Sequence, residues 1–177
     1  MRGFTAAFTV GAMAYEIKSY MGAGRLVFGM SPKQVHELLG KPRFSRRDAS
    51  RLREIYRVCP ALTFVGTDGQ LKLVEIGFAK AAGEVIYGGA NLFAGEQMAV
   101  VQRLCGEDPN PREVIGMLVF PKLGISLTGF HTGPKESIAV TAFAPGRWDA
   151  QLARSKPFKF SKSMPLIAEI SPLPRKK

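Results

Sequence analysis

With 177 residues, 46% of them hydrophobic and 22% charged, the chain suits one ordinary globular domain or two small halves sharing a core. No apolar run approaches the roughly 18 to 20 residues that a membrane-spanning helix needs, so a spanning helix is excluded. The net charge of +11 is concentrated: residues 41–57 hold seven Lys/Arg against two Asp/Glu, and residues 154–177 hold seven against one. An electrostatic partner should therefore meet one of these two segments.

Residues 1–14 read as a leader or a frayed N-terminus. Arg2 precedes a mildly apolar stretch, and Ala12-Met13-Ala14 has the form of a cleavage site, but Thr5, Thr9 and two glycines dilute the apolar part. Weak strand alternation follows from Tyr15 to Tyr20, is broken by Gly22 and Gly24, and resumes at Arg25 to Phe28. The strongest local signal comes next. Ser31 suits the N-cap, Pro32 the first helical position and Gln34 the reciprocal half of a capping box. Val35, Leu38 and Leu39 form one apolar stripe, and Gly40 and Pro42 stop the helix. A polar basic loop is expected after Pro42, then strands at Leu52 to Val58, Leu62 to Val65 and Leu71 to Phe78, with a hairpin turn at Thr67-Asp68-Gly69.

Beyond a glycine-rich connector, a second helix is predicted from Asn91-Leu92-Phe93-Ala94-Gly95 to Gly106, with Met98, Val101, Leu104 and Cys105 at helical spacing. Strand candidates follow at Val114 to Phe120, Gly124 to Phe130 and Ile138 to Phe143. Both halves thus read α-β-β-β. Placing Leu38-Leu39-Gly40 on Leu104-Cys105-Gly106 also sets Val35 on Val101, the pattern of an internal duplication. The expected fold class is α+β, two tandem α-β-β-β units over residues 15–80 and 81–152, with an antiparallel sheet covered by helices on one face. Residues 153–177 read as a basic, mobile tail.

Cys59 and Cys105 can be free or bridged. Two cysteines make no disulfide framework, which favours a reducing compartment and the cytoplasm. The periplasm is the alternative if residues 1–14 are a signal peptide. His36 and His131 stand without an acid or cysteine cluster at ligand spacing, and no nucleophile elbow, phosphate loop or dinucleotide fingerprint occurs. The expectation is accordingly a chain with no catalytic residues, no metal and no cofactor. The arginines after Pro42 suit an acidic protein surface, whose carboxylates they can grip bidentately. They also suit single-stranded nucleic acid, with Phe44 and Tyr56 available to stack on bases.

The stretch Gly29-Met30-Ser31-Pro32-Lys33-Gln34-Val35 with Leu39-Gly40-Lys41-Pro42 resembles the signature of the small outer-membrane lipoprotein A (BamE-like) family. Ile55-Tyr56, Leu62-Thr63-Phe64 and Asp68-Gly69-Gln70-Leu71 fit that family's strand-and-turn pattern. A duplicated version of the unit is similar to β-lactamase inhibitory protein, in which two helix-plus-sheet halves form a concave surface that grips an enzyme. The resemblance implies a non-enzymatic protein-binding scaffold, in first place a bacterial inhibitor or immunity-type protein. The alternatives are a BamE-like envelope assembly factor and a single-stranded nucleic-acid binder. Candidate partner contacts are Arg47, Arg51, Arg53 and Arg57, with Phe130, His131, Arg147 and Trp148 from the second half. An acidic protein is the expected partner, and a homodimer stays open.

Overall fold

The computed structural model describes residues 14–57, 60–67, 69–132 and 137–161. The proposed leader therefore lies outside the described residues except for Ala14, as does the basic tail beyond Ser161. Among the described residues no helix is long and apolar enough to cross a membrane.

The first helix, α1 (Pro32–Leu39), forms where its caps dictate. Ser31 Oγ accepts from the Gln34 amide, the Gln34 side chain reaches back to the Ser31 amide at 2.9 Å, and Gly40 takes φ 77° at the C-terminus. A four-strand antiparallel meander follows: β4 (Phe44–Asp48), β5 (Arg51–Ile55), β6 (Ala61–Val65) and β7 (Lys72–Ala79). The second helix, α2 (Gln97–Glu107), runs through Gly106 rather than stopping there, and its C-cap is Asp108. It leads into β10 (Arg112–Val114), β11 (Met117–Phe120), β12 (Ile125–Thr128) and β13 (Ala139–Phe143), also an antiparallel meander. The two meanders join through β7 and β13, where Val140 pairs with Phe78 and Thr141 with Gly77. With β14 (Lys156–Pro157) added beside β10, the result is a nine-stranded sheet in the order β14-β10-β11-β12-β13-β7-β6-β5-β4.

Side chains alternate across this sheet. One face presents Leu52, Leu62, Phe64, Ile76, Phe78, Leu118, Phe120, Ile125, Leu127 and Val140, all buried. Its cover is largely a second sheet, in the order β3-β2-β1-β8-β9, built from β1 (Tyr15–Lys18), β2 (Gly22–Ala23), β3 (Leu26–Val27), β8 (Val85–Tyr87) and β9 (Ala90–Asn91). Strands β1 and β8 pair in parallel, Tyr15 with Val85, and the Tyr15 ring lies 4.8 Å from that of Phe78. Gly22, at φ 148°, lets the β2–β3 hairpin close, because a Cβ there would run into the Leu26 carbonyl. Val35, Val100, Val101 and Leu104 of the helices enter the same core. Arg103 fixes α2 to the small sheet, donating from Nη2 to the Tyr87 carbonyl with its guanidinium 5.9 Å from the Tyr87 ring centroid.

The fold class therefore differs from the α+β expectation of two tandem α-β-β-β units under a helical layer. The protein is mostly β, with fourteen strands in two sheets and three short helices among the described residues. Three local misreadings account for the difference. The polar stretch after Pro42 is strand β4 rather than a loop. Val114 to Phe120 is two strands folded about Ile115-Gly116 rather than one. The weakly patterned segments before α1 and α2 supply an entire second sheet, so helices are not the cover over the large one. A short helix, α3 (Asp149–Leu152), closes the second meander, and the first part of the expected tail forms β14 with Phe158 buried beside it. Cys105 is a free, half-buried thiol whose pKa is pushed up by burial and then by Asp108. Cys59 lies outside the described residues.

The β10–β11 turn carries a conformational cost. Ile115 has φ 48° and Gly116 φ 75°, the left-handed pair of a tight hairpin turn, and the Ile115 side chain is 92% exposed. A β-branched residue is poorly suited to that backbone, where Asn is tolerated. Ile115→Asn should stabilise the fold by about 1 kcal/mol, a rise of about 2–4 °C in melting temperature. A thermal melt showing no rise would mean that the turn is not under strain.

Candidate functional site

The second face of the large sheet is mostly uncovered, and register builds its floor. One row of paired positions crosses all nine strands: Phe44, Ile55, Ala61, Gly77, Thr141, Ser126, Val119, Arg112 and Pro157. The four central members are small, so the middle of the face is a shallow trough of about 590 Å³. Its β10–β11 end is closed: Val114, Val119 and Phe143 pack under Tyr20, Trp148 and Leu152. Its β4–β5 end is bare, and there Phe44 and Ile55 are exposed apolar neighbours.

The arginines gather at that bare end. Arg46 and Arg53 sit directly opposite each other across β4 and β5, and both line the trough with Arg51 and Asp48. Asp48 answers part of this charge, with Arg51 Nη2 at 3.1 Å from its Oδ2 and Arg46 Nε at 3.8 Å from its Oδ1. Arg53 has no ion-pair partner among the described residues. Like charges in register on adjacent strands destabilise a sheet by some tenths of a kcal/mol, so this pair contributes nothing to the fold's stability. At the far side, Trp148 borders the trough, its indole Nε1 buried without a hydrogen-bond partner among the described residues. Arg147 lies 5.7 Å over the Trp148 ring, and its Nε is 3.1 Å from Glu75 Oε1, an ion pair whose angle falls short of a hydrogen bond.

The expected contact residues are thus divided. Arg51, Arg53 and Trp148 share the trough, and Arg147 stands at its edge. Arg47 pairs with Leu52, so it points to the opposite side of β4, and Arg57 lies exposed beyond the end of β5. Phe130 is fully buried with its ring 6.5 Å from that of Phe93, so it packs the core instead of meeting a partner. His131 is also interior: its side chain is 5% exposed, its ring meets Phe158 edge-on at 5.7 Å, and Nε2 is 4.0 Å from Glu113 Oε1. Burial lowers its pKa, opposed by Glu113. Arg46, Phe44 and Met117 also belong to the face; none was among the expected protein contacts, although Phe44 was expected to stack on bases. Alternation back from Arg51 and Arg53 through a two-residue turn would have found Arg46.

A polar cluster lies on the covered side. Glu54 is only 2% exposed, and its carboxylate accepts from Tyr56 OH at 2.8 Å and stands 2.9 and 3.1 Å from His36 Nε2. Bonding to a carboxylate places the imidazole proton on Nε2. Tyr56 has its pKa raised well above the usual phenol range, first by burial and then by the bond to Glu54. His36 thereby fastens α1 to β5. The cluster holds no nucleophile aimed at open space, and among the described residues no group of three His, Cys, Asp or Glu is placed to hold a metal.

No protein-family model matches the chain, and no match was found among curated proteins or among solved structures.

Proposed function

We propose that this chain is a non-enzymatic protein-binding scaffold, of the inhibitor or immunity type, that holds an acidic toxin or enzyme against the open face of its large sheet. The observation that carries this reading is the opposed Arg46/Arg53 pair beside a trough floored by small residues. An anionic partner would relieve the repulsion within the pair, and the basic field would steer its approach.

Arg53→Glu separates fold from function. It turns a like-charge pair into an opposite-charge pair, so the melting temperature should hold or rise slightly. Capture of the native partner from the source cell should fall by about tenfold or more and lose its salt dependence. Undiminished capture would place the interface elsewhere.

A second reading, single-stranded nucleic-acid binding, draws support from Phe44, 52% exposed beside the same arginines and able to stack on a base. A salt-sensitive gel shift with heterogeneous oligonucleotides would favour it, and no shift at low salt would remove it.

A further inference from the structure

The two ends of the nine-stranded sheet are finished differently. Beyond β10 lies β14, a two-residue strand whose Pro157 has no amide to offer a further neighbour. At the other end β4 has a strand on one side only, and all five of its residues are exposed. The outer strands of the small sheet, β3 and β9, are two residues each, so among the described residues β4 is the one open edge longer than two. A long open edge is a template for another strand.

Charge decides which strand it can accept. Strand β4 and the residue before it carry Arg43, Arg46 and Arg47 against one acid, Asp48, which Arg46 and Arg51 already hold, so a second copy laid antiparallel about Arg46 would set arginine against arginine. The edge is guarded against self-pairing yet open to carboxylates. Phe44, on the trough side, offers an apolar contact to the residue set opposite it in an incoming strand.

We propose that β4 is a strand-addition edge, taking an extended, carboxylate-bearing segment of the partner as a tenth strand. This rests on the protein-binding reading and specifies its mode: main-chain hydrogen bonds at the edge supply affinity, and arginine–carboxylate pairing supplies selectivity.

The probe is a blocked ten-residue peptide alternating Glu and Val. At low salt it should slow amide exchange in β4, at Ser45 above all, while leaving β14 unaffected. A version N-methylated at every second amide, retaining all its charge, should bind about tenfold or more weakly, because it cannot complete the ladder. A Lys–Val version should not bind. Ser45→Pro, which removes an edge amide, should lower affinity similarly at unchanged melting temperature. If that variant fails to fold, the N-methyl comparison on the unaltered protein still decides. The proposal is overturned if the acidic peptide does not bind, if the N-methylated peptide binds as well as the parent, or if the Lys–Val peptide competes. It is overturned equally if a thymidine oligonucleotide, and not the peptide, protects β4. These arms concern β4 alone. Failure here with loss of partner capture in Arg53→Glu would leave the scaffold reading standing and move docking to the trough.

Discussion

Phe78→Ala is expected to lower stability by about 3–5 kcal/mol, a large part of the 5–15 kcal/mol typical of a domain. Phe78 is 1% exposed and lies on β7, at the seam where the two meanders pair. Its ring also meets Tyr15 of the small sheet at 4.8 Å. Truncation leaves a cavity between the sheets at a place that strand pairing prevents from collapsing. Phe78→Leu keeps much of the apolar contact and should cost less than half as much. Urea unfolding of both variants checks this, and a cost below about 1.5 kcal/mol for the alanine would mean that the sheets are not tightly packed there.

Glu54→Ala is the second large effect, about 3 kcal/mol of destabilisation. The loss does not come from the ion pair alone. Removing the carboxylate strands the Tyr56 hydroxyl, on a residue 6% exposed, without its acceptor. His36 is partly exposed and can be hydrated, so it should add less. Replacing the whole group with apolar residues should be far milder: Glu54→Leu with Tyr56→Phe is expected to recover at least half of the loss, because no buried polar atom then lacks a partner. If the double variant is as unstable as Glu54→Ala, Glu54 acts through something other than this cluster. Helical circular dichroism at α1 offers a second readout, since His36 is its polar tie to β5.

How much of this was legible in the chain depends on the range of the signal. Helix α1 was readable because Ser31, Pro32, Gln34 and Gly40 each act on backbone within four residues. Strands β5 to β7 were readable because one side of each is buried and the residues alternate accordingly. Strand β4 was not: all five of its residues are exposed, so it shows no alternation, and its pairing is set by β5. The turn at Ile115-Gly116 was hidden because its first residue is one that turns rarely use. Of the small sheet, weak alternation marked the stretches that hold β1 and β3, but β2, β8 and β9 are two or three residues long, too short for a period, and their assembly into a sheet was hidden. For the candidate site, the arginine cluster was visible from composition, whereas its opposition across Arg46 and Arg53 needed the register. Phe130 and His131 close a predicted strand where nothing nearby in the chain marks them as covered, yet Phe93 and Phe158 pack against them. The burial of Glu54 was not legible, because it depends on the approach of His36 and Tyr56.

The parallel pairing of β1 with β8 also orders events in time. Tyr15 cannot find Val85 until the entire first meander has been synthesised between them. For that interval Leu62, Phe64, Ile76 and Phe78 have neither the small sheet nor the second meander to shield them. Closing so long a loop is entropically slow, so the nascent chain emerges with a sticky, half-built sheet. By charge alone, the arginines of β4 would set like against like wherever the edges of two such half-built chains met.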